Sequence, residues 1–164
     1  MNTIDLNGRT AIITGGARGI GFAAAQKMQA SGAAVVLWDI DAAALAKAAA
    51  ALKGGGRVHT ATVDVTNEAS IGAAVDALLR ETGKIDILVN NAGITGGNAS
   101  LWELAPDVWR RVIEVNLIAP FLTCRAIVPH MAAAGVMQLT STPVVANSLA
   151  SDLVSPIRPA FDAE

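Results

Sequence analysis

Short apolar runs alternate with longer segments of helical period through the first 135 residues. Arg9 to Thr14 (Arg-Thr-Ala-Ile-Ile-Thr) is β-branched and stops at glycines, so it reads as a buried strand. Residues 18–31 follow with Ile20, Ala24 and Met28 on one face, and Gly32 ends that helix. Ala34 to Trp38 is a second apolar strand. Asp41 is placed to cap an alanine-rich helix that runs to Leu52 and stops at Gly54-Gly55-Gly56. Val58 to Val63 is a third strand. Thr66 or Asn67 can cap the next helix, which shows Ile71, Val75, Leu78 and Leu79 on one side and ends at Gly83. Ile85 to Val89 is a fourth strand, and residues 90–100 form a polar, glycine-containing loop. Pro106 suits the first turn of a long helix towards Met131, which Pro120 is expected to kink or interrupt.

Strands alternating with helices imply βαβ units. Right-handed crossovers then give a parallel sheet with helices on both faces. Uninterrupted apolar strands such as 34–38 agree, because a strand covered on both sides need not alternate. The pattern breaks at Gly135. Val136 to Leu139 has the composition of a strand, but Pro143, Pro156 and Pro159 then scatter among Ser, Ala and Val without a helical period. The expected division is a nucleotide-binding domain over 1–135 and an atypical, poorly ordered tail over 136–164.

Composition supports a globular chain: 52% of the 164 residues are hydrophobic and 16% charged, the reverse of a disordered balance. A net charge of −2 offers no basic surface to nucleic acid. The N-terminal segment lacks the basic and apolar regions of a signal peptide. No uncharged apolar run reaches the roughly 18 residues of a membrane span, so no membrane partner is expected. One cysteine, Cys124, allows no disulfide within the chain and fits a reducing cytoplasm. Two distant histidines and that cysteine suggest no metal site.

The candidate chemistry lies between the first strand and first helix. In Thr14-Gly15-Gly16-Ala17-Arg18-Gly19-Ile20-Gly21, Gly15 permits the turn, Gly19 lets backbone approach a diphosphate, and Gly21 lets the helix pack closely on the sheet. Unpaired N–H groups at the helix start favour an anion there. Taken alone, such glycines also fit a turn with no ligand. Asp39, followed by Ile40, comes about 20 residues beyond the loop, where a carboxylate can bond the adenosine ribose. A 2′-phosphate would meet that carboxylate: two unit charges about 4 Å apart repel by about 4 kcal/mol at an effective dielectric of about 20. This favours NAD over NADP, although Arg18 pulls the other way. Asp39 as a solvated loop charge is the competing reading.

Four motifs in order then resemble the short-chain dehydrogenase/reductase family, over roughly residues 5–135: Thr14-Gly15-x-x-x-Gly19-x-Gly21, Asp64-Val65, Asn90-Asn91-Ala92-Gly93 and Val115-Asn116-Leu117. The style is nearest to NAD(P)-dependent alcohol dehydrogenases and 3-oxoacyl carrier-protein reductases. The resemblance implies a Rossmann-like, doubly wound α/β fold whose C-terminal part of the sheet is incomplete here. It implies Gly15, Ala17, Arg18, Gly19, Ile20, Gly21, Asp39, Ile40, Asp64, Val65, Asn91, Ala92 and Gly93 beside the cofactor, with Asp64-Val65 at adenine. Asn116 would hold a water that relays protons; otherwise it is a kink residue beside Pro120. Hydride transfer between nicotinamide and an alcohol or carbonyl carbon is the implied reaction, on a small-molecule substrate, in a protein that is usually a homo-oligomer.

The implied proton-transfer machinery is a serine, a tyrosine and a lysine four residues after the tyrosine. This chain has no tyrosine, and Lys84 is its last lysine. Ser141 can stand for the serine or be an ordinary loop residue. A reading-frame shift, a truncation or a divergent splice end would each produce the break near Gly135. The expectation is an oxidoreductase by descent with impaired catalysis; the alternatives are a noncatalytic dinucleotide-binding module and a nonfunctional product.

Overall fold

The computed structural model describes residues 4–97, 99–100 and 102–135. Four parallel strands form one sheet: β1 (Thr10–Thr14), β2 (Ala34–Asp39), β3 (Val58–Thr62) and β4 (Ile87–Val89), in the order β3-β2-β1-β4. The helices are α1 (Gly19–Ala30), α2 (Ala42–Ala51), α3 (Glu68–Thr82), α4 (Pro106–Ile113) and α5 (Ala119–Ala133). The expected strand over 136–139, the tail and Ser141 lie outside the described residues.

Each strand side has its own core. Ile12, Val36 and Trp38 face α3 and α5, where Ile71, Val75, Leu78, Leu122 and Ile127 cover them. Ala11, Ile13, Val35 and Leu37 face the opposite way, onto Ala25 of α1 and Leu45 and Ala48 of α2. All five residues of β1 are buried. Two-sided burial is why these strands are apolar without alternation.

The caps follow the expected chemistry. Asp41 accepts from Ala44 N–H at 2.9 Å and Asn67 accepts from Ser70 N–H at 3.0 Å, each at the start of its helix. Gly83 closes α3 at φ 74°, a left-handed conformation suited to glycine. Buried Gln29 of α1 holds the three-glycine turn, donating to the Gly56 carbonyl at 2.8 Å and accepting from Gly54 N–H at 3.0 Å.

One boundary differs from expectation. β4 begins at Ile87 because Asp86 turns its carboxylate into the structure, accepting from Thr10 N–H at 2.8 Å and pairing with Arg9 and Lys84. The α-helix is interrupted just before Pro120, as expected. A π-helical turn, Glu114–Ile118, precedes it and joins α4 to α5 in one helical run, Pro106–Ala133. Pro120 lacks the N–H that an α-helix would send to the Asn116 carbonyl, and the wider turn absorbs that defect. This run is long and apolar enough to cross a membrane by length and composition alone. Ala119, Leu122, Thr123 and Ile127 of α5 are buried within the protein.

Candidate functional site

In chain order the strands step from β1 to β2 to β3 on one side, and β4 then returns to the other side of β1. At such a reversal the loops after neighbouring strands part and leave a crevice. A cavity of about 560 Å³ lies beyond the C-terminal ends of the strands, lined by Gly15 and Arg18 after β1, Asp39, Ile40 and Asp41 at and after the end of β2, Asp64 and Val65 after β3, and Asn91 to Ile94 after β4. A larger cavity, about 960 Å³, sits near the start of the chain against α1 and is lined by Leu6, Met28 and Ile87. Its charged lining residues are Asp5 and Lys27, and the glycine loop and strand-end carboxylates lie elsewhere.

The glycine loop is tight on its inner side and open on its outer side. Gly15 and Gly19 have φ of 63° and 56°, where a side chain would be strained. A Cβ on Gly19 would point into open space, whereas one on Gly21 would lie 2.4 Å from the Gly15 carbonyl oxygen. Gly21 therefore serves the close approach of α1 to the loop, and Gly19 leaves room outside it. Arg18 at the start of α1 makes no side-chain cap, and the first turn holds no acidic residue. The helix start thus retains N–H groups and partial positive charge for an incoming phosphate. These observations fit a dinucleotide diphosphate.

A clasp fixes the loop from the β4 side. The Asn91 side chain donates to the carbonyls of Thr14 and Gly15 at 2.9 and 3.2 Å. The Thr14 hydroxyl in turn accepts from the N–H groups of Asn91 and Ala92 at 2.9 and 3.0 Å. Asn91 lines the cavity, but its side-chain amide is engaged by the loop backbone. Asn90 is tied elsewhere, accepting from the Thr123 hydroxyl at 2.6 Å.

Asp39 is anchored at the other wall. Its carboxylate accepts from Ala17 N–H at 3.3 Å and Asp41 N–H at 3.1 Å. A carboxylate has about four lone-pair sites, so it retains capacity for two hydroxyls. Arg18, the cation nearest this wall in sequence, is paired with Asp41. The Ala44 N–H and the Arg18 guanidinium hold the Asp41 carboxyl below its ordinary pKa. Asp64 accepts from both the hydroxyl and N–H of Thr66, at 2.7 and 2.9 Å. Those bonds, helped by nearby Arg111, keep it ionised to below the usual carboxylate range.

Asn116 occupies the π-helical turn. Its side-chain oxygen accepts from Ile94 N–H, and its nitrogen donates to the Ile94 carbonyl. The side chain holds the loop after β4 to the helix, and Pro120 deprives the Asn116 carbonyl of its α-helical donor.

The structure brings Gly15, Arg18, Asp39, Ile40, Asp64, Val65, Asn91, Ala92 and Gly93 to one cavity. Ala17, Gly19, Ile20 and Gly21 support it from the loop and α1 without lining it; Ile20 is exposed. The sequence reading did not place Trp38, Val63, Ile94, Arg111 or Val115 in the lining, and took Asp41 only as a cap. Arg111 reaches in from α4 and donates to the Thr66 hydroxyl at 3.2 Å, a tertiary contact without a local motif. His59 pairs with Glu81 of α3 at 3.1 Å, outside the cavity lining. Among the described residues no cluster of metal-ligating side chains occurs.

The chain is similar to known proteins. The family model for the short chain dehydrogenase matches residues 9–151, running past Gly135. The 2-dehydro-3-deoxy-L-rhamnonate dehydrogenase (NAD(+)) of Sphingomonas sp. (strain SKA58) is 41% identical over 124 residues, covering 76% of this chain and 49% of that protein. The 3-oxoacyl-(acyl-carrier-protein) reductase FabG of Chlamydia pneumoniae is 39% identical over 129 residues, covering 78% of this chain and 52% of that protein. The structure of NAD+-bound xylitol dehydrogenase superposes with a TM-score of 0.77 at 32% identity, covering 80% of this chain and 51% of that one. A metagenomic short-chain oxidoreductase in complex with NADP gives 0.74 at 38% identity, covering 79% and 59%. The chain spans about half the length of the curated relatives it matches. The fold, the four motifs on their expected elements and this match agree: the chain belongs to the short-chain dehydrogenase family.

Proposed function

We propose that this chain binds a nicotinamide dinucleotide in the strand-end cavity, NAD in preference to NADP, and derives from an oxidoreductase acting on an alcohol or ketone. The carrying observation is the Asp39 carboxylate, fixed by Ala17 N–H beside the glycine loop and facing the same cavity. The glycine loop and the start of α1 would receive the diphosphate, Asp39 the adenosine ribose, and Asp64 with Val65 the adenine. Asn91 would lie beside the cofactor with Ala92 and Gly93 while its amide nitrogen keeps the loop in shape. When bound, the nicotinamide would supply or accept the hydride. Asn116, with its side chain engaged and its carbonyl without an α-helical donor, is the residue proposed to hold a proton-relaying water. Ser141 falls within the family match and is the candidate to bind a substrate oxygen.

The 164 residues contain no tyrosine. Positioned acid–base help is typically worth about 10²–10⁴-fold, so this chain is proposed to bind cofactor with little or no turnover. A noncatalytic nucleotide-binding role rests on the same observation. Residues 1–135 are proposed as the binding domain, and the single cysteine supports a cytoplasmic setting. Calorimetric titration with NAD+ and NADP+ is the test. Tighter NAD+ binding is expected, and Asp39→Ser should narrow the gap to NADP+. Absence of heat with both overturns the binding proposal, and tighter NADP+ binding overturns the role of Asp39. Alcohol-dependent NADH formation at an ordinary enzymatic rate would refute the loss of catalysis.

A further inference from the structure

Two charged side chains border Asp39, and each begins a helix. Arg18 stands at the start of α1 and Asp41 at the start of α2; their side chains form an ion pair while 66% and 43% exposed. The backbone N–H of Asp41 also donates to Asp39, whose other oxygen accepts from Ala17, the residue before Arg18. All three charged groups line the cavity. Arg111, the other guanidinium in its lining, is engaged at the Thr66–Asp64 end.

We propose that Asp41 is a specificity-positioning residue, holding the Arg18 guanidinium in a neutral pair so that the cavity wall beside Asp39 presents that carboxylate and no free Arg18 cation to a 2′-phosphate. This rests on the NAD-binding reading and adds to it a reason why Arg18 does not offset Asp39. A free guanidinium presents a planar fork of donors matched to phosphate oxygens. Arg18 lies on the loop that would cradle the diphosphate, so it is the natural candidate to meet a 2′-phosphate at this wall. In the pair its charge is neutralised, and its release must first break the bond to Asp41. Exposed ion pairs are individually weak, so the effect is a bias rather than a lock.

The test is a double-mutant cycle read by calorimetry at low ionic strength, with NAD+ and NADP+ as the probes. Asp41→Asn removes the charge and keeps a side-chain oxygen to cap α2, a position where Asn serves as well as Asp. Asp41→Ser provides a second uncharged cap should the first variant fold poorly. The cycle is completed by Arg18→Gln alone and by the double variant. With Arg18 present, loss of the Asp41 charge should tighten NADP+ binding about three- to fivefold and leave NAD+ within about twofold. With Arg18 replaced, the gain should fall to under about twofold. High salt should erase most of the difference, because exposed charges are screened. Equal NADP+ gains with and without Arg18 overturn the proposal, since Asp41 would then act only by its own charge. So does an unchanged NADP+ affinity in both capped variants. In either case NAD+ binding by the parent chain leaves the broader reading standing. If the parent binds neither dinucleotide, both fall.

Discussion

Asn116 and Ile94 are joined by two reciprocal hydrogen bonds, each 2.9 Å long, between a side-chain amide in the π-helical turn and the backbone of the loop after β4. This pair makes the cavity wall depend on the helix. Asn116→Ala should cost about 1 kcal/mol, the net worth of such bonds at an exposed position. Asn116→Asp should cost more, because it places a carboxylate against the Ile94 carbonyl. Amide exchange at Ile94 is the direct readout: its protection should fall in both variants while that of β1 stays high. Unchanged exchange at Ile94 would contradict the coupling.

Two glycines offer opposite outcomes for the same substitution. A Cβ on Gly21 would fall 2.4 Å from a backbone oxygen and 2.5 Å from the Asn91 amide, and neither can retreat without opening the clasp. Gly21→Ala should destabilise by about 2 kcal/mol or more and weaken dinucleotide binding. Gly72 lies inside α3 with open space where its Cβ would go. Gly72→Ala should stabilise by about 0.5–1 kcal/mol through helix propensity. Thermal melts of the two variants check both signs.

Asp86 gives the fold an acid sensitivity. Burial pushes its pKa up, but the Thr10 N–H, Arg9 and Lys84 outweigh that and leave it below the ordinary 3.8. Between the folded and unfolded values the unfolded chain binds more protons, so stability rises with pH there. The contribution is complete above the unfolded value of about 3.9 and is lost as pH falls through the folded one. Asp86→Ala should cost about 1–3 kcal/mol near neutrality, since it leaves the buried Thr10 N–H unpaired while half-exposed Arg9 and Lys84 turn to water. The difference in Tm between wild type and variant should be flat above about pH 5 and shrink below pH 4. A difference that grew on acidification would refute this.

The exposed side of the long helix carries a third kind of prediction. Trp109, Leu117 and Phe121 are 47%, 62% and 61% exposed, and β4 pairs with β1 alone among the described strands. Apolar patches and open sheet edges both favour association. At roughly 100 µM the chain should self-associate by sedimentation analysis. The double variant Leu117→Lys with Phe121→Glu should reduce that association. A wild-type chain that stays monomeric at this concentration would count against it.

The order and type of the described elements were legible because β1, β2 and β4 are short apolar blocks, β3 follows a glycine run, and each helix has a readable start or stop. Asp41, Asn67, Pro106 and Gly83 act locally, and local chemistry is visible in a sequence. The π-helical turn was less so. Pro120 announced a kink or an interruption, but not that the interruption would be a π-helical turn over Glu114–Ile118. The same division holds at the site. The glycine loop, Asp39, Asp64 and Asn91 sit at strand ends, where topology forces convergence. Arg111 enters from a helix distant in sequence, and the pairing of Arg18 with Asp41 joins two helix starts. Such contacts depend on where long side chains finally lie, which no spacing rule encodes. That the Asn91 amide nitrogen fastens the loop backbone also required the hydrogen bonds themselves.

Thr14 and Asn91 are 77 positions apart along the chain. The segment that would grip a phosphate therefore leaves the ribosome well before the residue that fastens it, and it takes its working shape only when the fourth strand has emerged and docked. Ligand competence should appear as a late step of folding, after β1 and β2 have already paired. A nascent chain stalled before Asn91 would carry the whole glycine motif and still be blind to nucleotide.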